Sequence, residues 1–261
     1  MKRIQGGVTA AKGFEAAGVA AEIKYKNRTD MAAVYSRKPC VAAGTFTTNV
    51  AKAAPVTWDQ KIVKESPFVQ AVIVNSGIAN ACTGQEGYGY CKDTADAAAR
   101  EFSIPADSVL LGSTGVIGRQ LPIDRIQNGV AMLAKAKADT LEAGTAAAKA
   151  IMTTDTCEKE IAVEIEAGGK TVTIGGMAKG SGMIHPNMCT MLSFITTDAV
   201  ISKSALQKAL SEDVNDTYNM ISVDGDTSTN DTVLVMANGM AENEEIAEGS
   251  KDYFRFAEAL H

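Results

Sequence analysis

The chain has 261 residues, with 25 basic against 31 acidic side chains and a net charge of −6, a length that carries one large domain or two small ones with ample core. At 46% hydrophobic and 21% charged, its composition excludes a disordered chain. The lack of any Lys/Arg-rich stretch in an acidic whole disfavours a nucleic-acid binder. Apolar runs are short and broken by Gly, Lys and Glu, and no apolar signal core follows Met1–Gly7. No membrane span is expected, and the cytoplasm is the expected location.

In chain order, the pattern predicts strands over Ala17–Tyr25 and Met31–Arg37, joined through the turn cluster Asn27-Arg28-Thr29-Asp30. Val69–Val74 is a β-branched apolar run that stops at Asn75-Ser76-Gly77. Residues 90–102 read as a helix with Cys91, Ala95, Ala98 and Phe102 on one face. Val109-Leu110-Leu111 reads as a core strand closed by the small-residue turn Gly112-Ser113-Thr114-Gly115. A helix then starts near Pro122, with Ile123, Ile126, Val130 and Leu133 at helical spacing. Ile161, Val163 and Ile165 alternate with polar or small residues up to Gly168-Gly169, and Val172 and Ile174 resume the alternation, which is a hairpin. The glycine-rich stretch Gly175–Gly182 and the apolar segment Met191–Ile195 follow. A helix over Ser202–Tyr218, a strand over Val233–Met236 and a helix over Asp252–Leu260 complete the chain. Strands come in pairs and hairpins without regular βαβ alternation. The expected fold is therefore a mixed, layered α/β (α+β) architecture, not a doubly wound parallel sheet.

The supply of catalytic side chains is narrow. Five cysteines, an odd number with no Cys-x-x-Cys pair, read as reduced thiols. Only two histidines exist, His185 and His261. A zinc site lacks ligands, and a Ser-His-Asp or Cys-His engine would rest on His185 alone.

The most unusual segment runs from Ala178 to Leu192. Lys179-Gly180-Ser181-Gly182 lacks the Gly-Lys-Ser/Thr order of a phosphate loop, and by itself it reads as a hairpin exit with a solvated lysine. After an irregular polar loop, Thr190 then opens an apolar strand. A threonine hydroxyl needs a base, and where histidine is scarce its own α-amino group can serve once the preceding peptide bond is cut. Such an amine titrates at roughly 7.7–8.0. Cys189–Thr190 is thus a candidate self-cleavage bond, although the pattern by itself favours a buried strand threonine. Gly112–Gly118 is placed on a strand-to-helix turn, where N–H groups beside the Thr114 hydroxyl and Gly115 can face an oxyanion. Met152–Thr156 is either a polar pocket wall or a capping turn. Asp224–Asp231 carries three aspartates in eight residues, without the Gly and Glu that a calcium loop needs.

Taken in series, these strings resemble the ornithine acetyltransferase (glutamate N-acetyltransferase) family of arginine biosynthesis over essentially the whole chain. The resemblance rests on Gly6–Phe14, Val74–Gly84, Ser113–Gly118, Ile151–Thr156, Ala178–Met188 and Ile221–Asp231. It implies the self-cleaving, N-terminal-nucleophile type of fold shared with certain aminopeptidases. It further implies scission between Cys189 and Thr190 into an α chain (1–189) and a β chain that begins at 190. Thr190 would take the acetyl group of N-acetylornithine as an ester and pass it to glutamate by ping-pong transfer. Neither a metal nor a prosthetic group is implied, with acetyl-CoA as a further co-substrate option. By motif position, Thr114 and Gly115 would stabilise the oxyanion, and Thr153, Lys179 and Thr190 would contact substrate. His185 would order the loop, and the run 224–231 would shape or support the site. Processed chains would assemble as α2β2, with no nucleic-acid or membrane partner.

Two departures stand out. Cys189 occupies a position where the family more often has alanine, a change that keeps the small size. The sequence also ends at His261, where family members continue into a β-chain glutamate and C-terminal residues that serve proton transfer and substrate binding. Two rival expectations accompany the transferase: an amidase or aminopeptidase of the same architecture with water as acceptor, and an inactive fragment that only binds or assembles.

Overall fold

The computed structural model describes residues 1–183 and 191–261. The first half contains β1 (Lys2–Ile4), β2 (Phe14–Val19), β3 (Met31–Phe46), α1 (Ala54–Glu65), β4 (Val69–Ile78), α2 (Gly84–Phe102) and β5 (Val109–Val116). The second half contains α3 (Ile123–Ala136), α4 (Leu141–Ala150), β6 (Lys159–Ala167), β7 (Lys170–Lys179), β8 (Leu192–Thr197), α5 (Lys203–Asp216), β9 (Thr232–Ala237) and α6 (Lys251–Leu260). Among the described residues no helix is long and apolar enough to cross a membrane.

Two sheets share one strand. The first has the order β1-β6-β7-β8-β9 and ends on the second half of β3, where Val41–Phe46 pairs antiparallel with β9. The second is built from β2, the first half of β3, β4 and β5. The register of β3 shifts between Tyr35 and Cys40, around Pro39. Proline cannot donate to a ladder, which suits the place where the strand passes from one sheet to the other. Two pairs are parallel, β4 with β5 across α2 and β8 with β9 across α5. The remaining pairs are antiparallel, so the fold is the mixed layered one expected.

Residue alternation along β8 and β9 explains the layers. Leu192, Phe194, Leu234 and Met236 face a large core shared with the second sheet, and Phe194 reaches the backbone of Gly112 on β5. Val233, Val235 and Ala237 face the opposite way, into a second core closed by Leu206 and Leu210 of α5 and Phe256 of α6. Helices α1, α2 and α3 pack on the second sheet. The helices start as their sequences dictate, with Ser202 capping α5 through Ala205 N–H and Thr140 capping α4 through Ala143 N–H.

Several sequence expectations need correction. The strand read over Ala17–Tyr25 lies earlier, at Phe14–Val19. Beyond it the buried Asp30 carboxylate accepts the N–H groups of Ala21 and Ile23 (both 2.7 Å) and draws the chain off the sheet. The turn read at Gly112–Gly115 is part of β5, and β4 continues past Val74 to Ile78, because the two run in parallel register as far as Gly77 and Gly115. The glycine-rich loop starts only at Gly180, since β7 pairs through Gly175 and Gly176 as far as Lys179. No element is read from sequence over 54–65, where α1 lies. Its inner face includes Asp59, which breaks the apolar period and accepts the Leu111 N–H at 2.8 Å.

Candidate active site

The two parallel strands β4 and β5 end side by side, Ser76 opposite Thr114 and Gly77 opposite Gly115. Gly115 has φ +132°, and a Cβ there would stand 2.2 Å from the Gly77 carbonyl carbon and 2.6 Å from Ile78 N. Only glycine allows this approach. Gly115→Ala is therefore expected to cost about 3 kcal/mol or more, as left-handed strain added to a backbone clash. Urea denaturation of the variant beside the parent protein measures it.

Across from this pair, β7 ends at Lys179, which is only 3% exposed. Its Nζ donates to Thr114 Oγ1 at 3.3 Å. Burial pulls this amine below the ordinary lysine range, while Asp155 and Asp231 pull it back up. An ammonium has three donors, and Thr114 is the hydrogen-bond partner found for it among the described residues.

Asp155 organises the neighbouring wall. Its Oδ1 accepts from Gly180 N (2.8 Å) and Lys159 Nζ (2.6 Å), and its Oδ2 accepts from Thr153 N (3.2 Å). Burial pushes this carboxyl up, but the Lys159 ammonium and the two N–H groups hold it below the usual carboxylate range. One side chain thus ties the Thr153 loop to the residue after Lys179. Arg28 secures the same loop from the far side, donating to the carbonyls of Met152 (2.8 Å) and Thr153 (3.0 Å).

A cavity of about 480 Å³ opens over these residues. Its lining includes Thr114, Gly115, Thr153, Lys179, Arg28 and Asp224. A second cavity of about 510 Å³ lies on the opposite side of the first sheet, near Met1 and His261, and contains none of the expected site residues. His261 itself contacts Asp213 there at 2.9 Å. Four expected site residues, Thr114, Gly115, Thr153 and Lys179, therefore converge on one cleft. Thr190, Cys189 and His185 lie outside the described residues. Met183, just before that segment, lines the same cleft, and Leu192, just after it, is the cross-strand partner of Lys179.

Two further residues were visible in the sequence only as members of the run 224–231. The Asn230 amide donates to the carbonyls of Ala79 (2.7 Å) and Ser113 (2.8 Å), bridging the ends of β4 and β5. Asp231 accepts the Met191 N–H at 3.0 Å.

The family model described as the ArgJ family matches residues 15–261. The chain belongs to the ArgJ family. The arginine biosynthesis bifunctional protein ArgJ of Lactococcus lactis is 52% identical over 262 residues, covering all of this chain and 64% of that protein. The chain thus spans a little under two thirds of its relative's length. The ornithine acetyltransferase of Mycobacterium tuberculosis, crystallised with ornithine, superposes with a TM-score of 0.64 at 40% identity, over 72% of this chain and 96% of that one. The L-aminopeptidase D-Ala-esterase/amidase of Ochrobactrum anthropi, a variant of the Ntn hydrolase fold, matches all of this chain with a TM-score of 0.61 at 11% identity. That likeness concerns the fold alone.

Proposed function

We propose that this chain carries the acyl-transfer centre of a glutamate N-acetyltransferase of arginine biosynthesis. Thr190 is the nucleophile in this reading, and the chain is cut between Cys189 and Thr190, dividing it into residues 1–189 and 190–261. The observation that carries the reading is the buried Lys179–Thr114 pair beside Gly115, at the base of a cleft of about 480 Å³. Acyl transfer builds negative charge on the carbonyl oxygen, and donors fixed in a water-poor site stabilise that charge best. Thr114 and Lys179 are such donors. The cleft also carries the cationic Lys24 and Arg28 and the acidic Asp224 and Asp226, which suits an amino acid bearing both signs.

The Mycobacterium tuberculosis match adds support. It accounts for 96% of that solved chain with only 72% of this one, and residues 1–189 are 189 of 261, or about 72%. A solved chain that stopped at the corresponding bond would give a match of that extent.

In the reaction, the Thr190 hydroxyl attacks the acetyl carbonyl of N-acetylornithine, ornithine leaves, and the glutamate amine then attacks the acetyl ester. Intact-mass spectrometry with N-acetylornithine tests this. Two fragments are expected, with an acetyl increment on the one beginning at residue 190, discharged only when glutamate is added. Discharge by water at the same rate would make the protein an amidase. An uncut chain that gains no acetyl mass would refute the transferase reading.

A further inference from the structure

The loop between β2 and β3 lines the cleft with two half-buried cations, Lys24 and Arg28. Neither forms an ion pair with a carboxylate among the described residues. Asp30, whose charge Arg28 acts on, has its two oxygens occupied by the N–H groups of Ala21 and Ile23. Both cations lie instead about the ring of Tyr25, with Lys24 Nζ 4.6 Å and Arg28 Cζ 5.8 Å from its centroid. An aromatic face attracts a cation but supplies no net negative charge. Two like charges thus gather about one ring on the wall of a cleft, an arrangement that repels itself and is relieved by an anion.

The loop is fastened to the same strand ends that carry Thr114 and Gly115. Asp30 N–H donates to the Val19 carbonyl and Ser76 N–H to the Asp30 carbonyl, both at 2.9 Å, which ties the loop to the end of β4. The Lys24 stem lies over Gly77, where an added Cβ would stand 3.0 Å from the Lys24 Cβ. Gly77 is in turn the strand partner of Gly115. Arg28 gives Nη2 to the carbonyls of Met152 and Thr153, while its Nε and Nη1 make no hydrogen bond among the described residues. The two cations are therefore fixed beside the oxyanion strand before any ligand arrives, which lowers the cost of ordering them around one.

Resting on the reading of this cleft as an acyl-transfer centre, we propose that Lys24 and Arg28 form the site that holds the α-carboxylate of the amino-acid substrates. In ping-pong transfer the leaving amino acid and the acceptor occupy the cleft in turn. Ornithine and glutamate end their side chains in opposite charges, but both carry a carboxylate on the carbon that bears the reacting nitrogen. A cation pair fixed by the fold serves both half-reactions through that shared group, by charge-assisted hydrogen bonds. Lys179 is bonded to Thr114 at the base of the cleft. Carboxylate recognition and oxyanion stabilisation thus fall to different cations.

The test compares ornithine with ornithinamide, whose neutral amide replaces the α-carboxylate, by isothermal titration calorimetry on the 261-residue chain. The parent is expected to bind ornithine at least about tenfold more tightly, the scale of one charge-assisted hydrogen bond. Lys24→Met keeps a stem over Gly77 without the charge. It is expected to lose most of that preference through weaker ornithine binding, with ornithinamide binding unchanged, and Lys24→Arg, which retains the charge, is expected to keep the preference. A parent that binds neither ligand or both equally, or a Lys24→Met chain that keeps the parental preference, overturns the proposal and leaves the acyl-transfer reading standing. Equal weakening of both ligands in Lys24→Met, the mark of a residue that merely braces the loop, overturns it as well. A preference lost in Lys24→Met, in a protein whose parent gains no acetyl mass from N-acetylornithine, supports the carboxylate site and overturns the acyl-transfer reading instead.

Discussion

Thr190→Ala is expected to stay in one piece and to accept no acetyl group from N-acetylornithine, a loss of at least about 10⁴-fold, the scale on which removal of a nucleophile acts. The structure sharpens the reason. A threonine hydroxyl requires a base within reach, and two candidate bases among the described residues are otherwise engaged. His261 sits at the end of α6 against Asp213, beside the other cavity. Asp155 is held ionised by Lys159 and two N–H groups, with its oxygens committed to the Thr153 loop and Gly180. The α-amine of residue 190 itself, freed by scission, meets the requirement without borrowing any of these. Thr190→Ser retains hydroxyl and amine and is therefore expected to cut and to acetylate. Intact-mass spectrometry of both variants measures scission and acylation in one experiment. A Thr190→Ala chain that still splits at the same bond would remove this residue from the nucleophile's role.

The sequence exposed the parts of the site that sit on short, distinctive strings, and it hid those that depend on pairing between distant strands. Lys179 was readable as a lysine among glycines, yet its sequence neighbourhood indicated a solvated loop. What buries it is register: β7 extends to Lys179 opposite Leu192 and carries its ammonium to Thr114, 65 residues earlier in the chain. Thr114 and Gly115 were read on a strand-to-helix turn, whereas both belong to β5. Their special geometry comes from the parallel partner Gly77, not from a turn into a helix. Asp155, Asn230 and Asp231 were indistinguishable from capping or solvent-facing residues, because their partners are backbone groups of other strands. The core was more legible. The α3 helix over Ile123–Ala136, the β6–β7 hairpin and α5 follow from local period and from turn or capping residues. The α1 helix was concealed by the inward-facing Asp59 on its apolar face.

Lys179→Met separates a functional lysine from a structural one, because the two roles predict opposite changes in stability. Methionine preserves most of the volume and removes the charge. If Lys179 serves the developing oxyanion, acetyl transfer is expected to fall by about 10²–10³-fold, the usual consequence of losing one fixed donor. The fold should meanwhile gain stability. A 3% exposed ammonium whose described partner is one neutral hydroxyl is poorly compensated for the water it has lost. The pH dependence gives the sign. Burial holds the folded pKa below that of the unfolded chain, so the charge opposes folding at neutral pH and ceases to do so as pH rises towards the ordinary lysine range. The extra stability of Lys179→Met over the parent should therefore shrink with increasing pH. Thermal melts at neutral and alkaline pH, beside transfer rates, measure both effects. Were the variant to melt well below the parent at neutral pH, Lys179 would instead be a tie holding β7 to the end of β5, and the oxyanion role would pass to Thr114 and the neighbouring backbone alone.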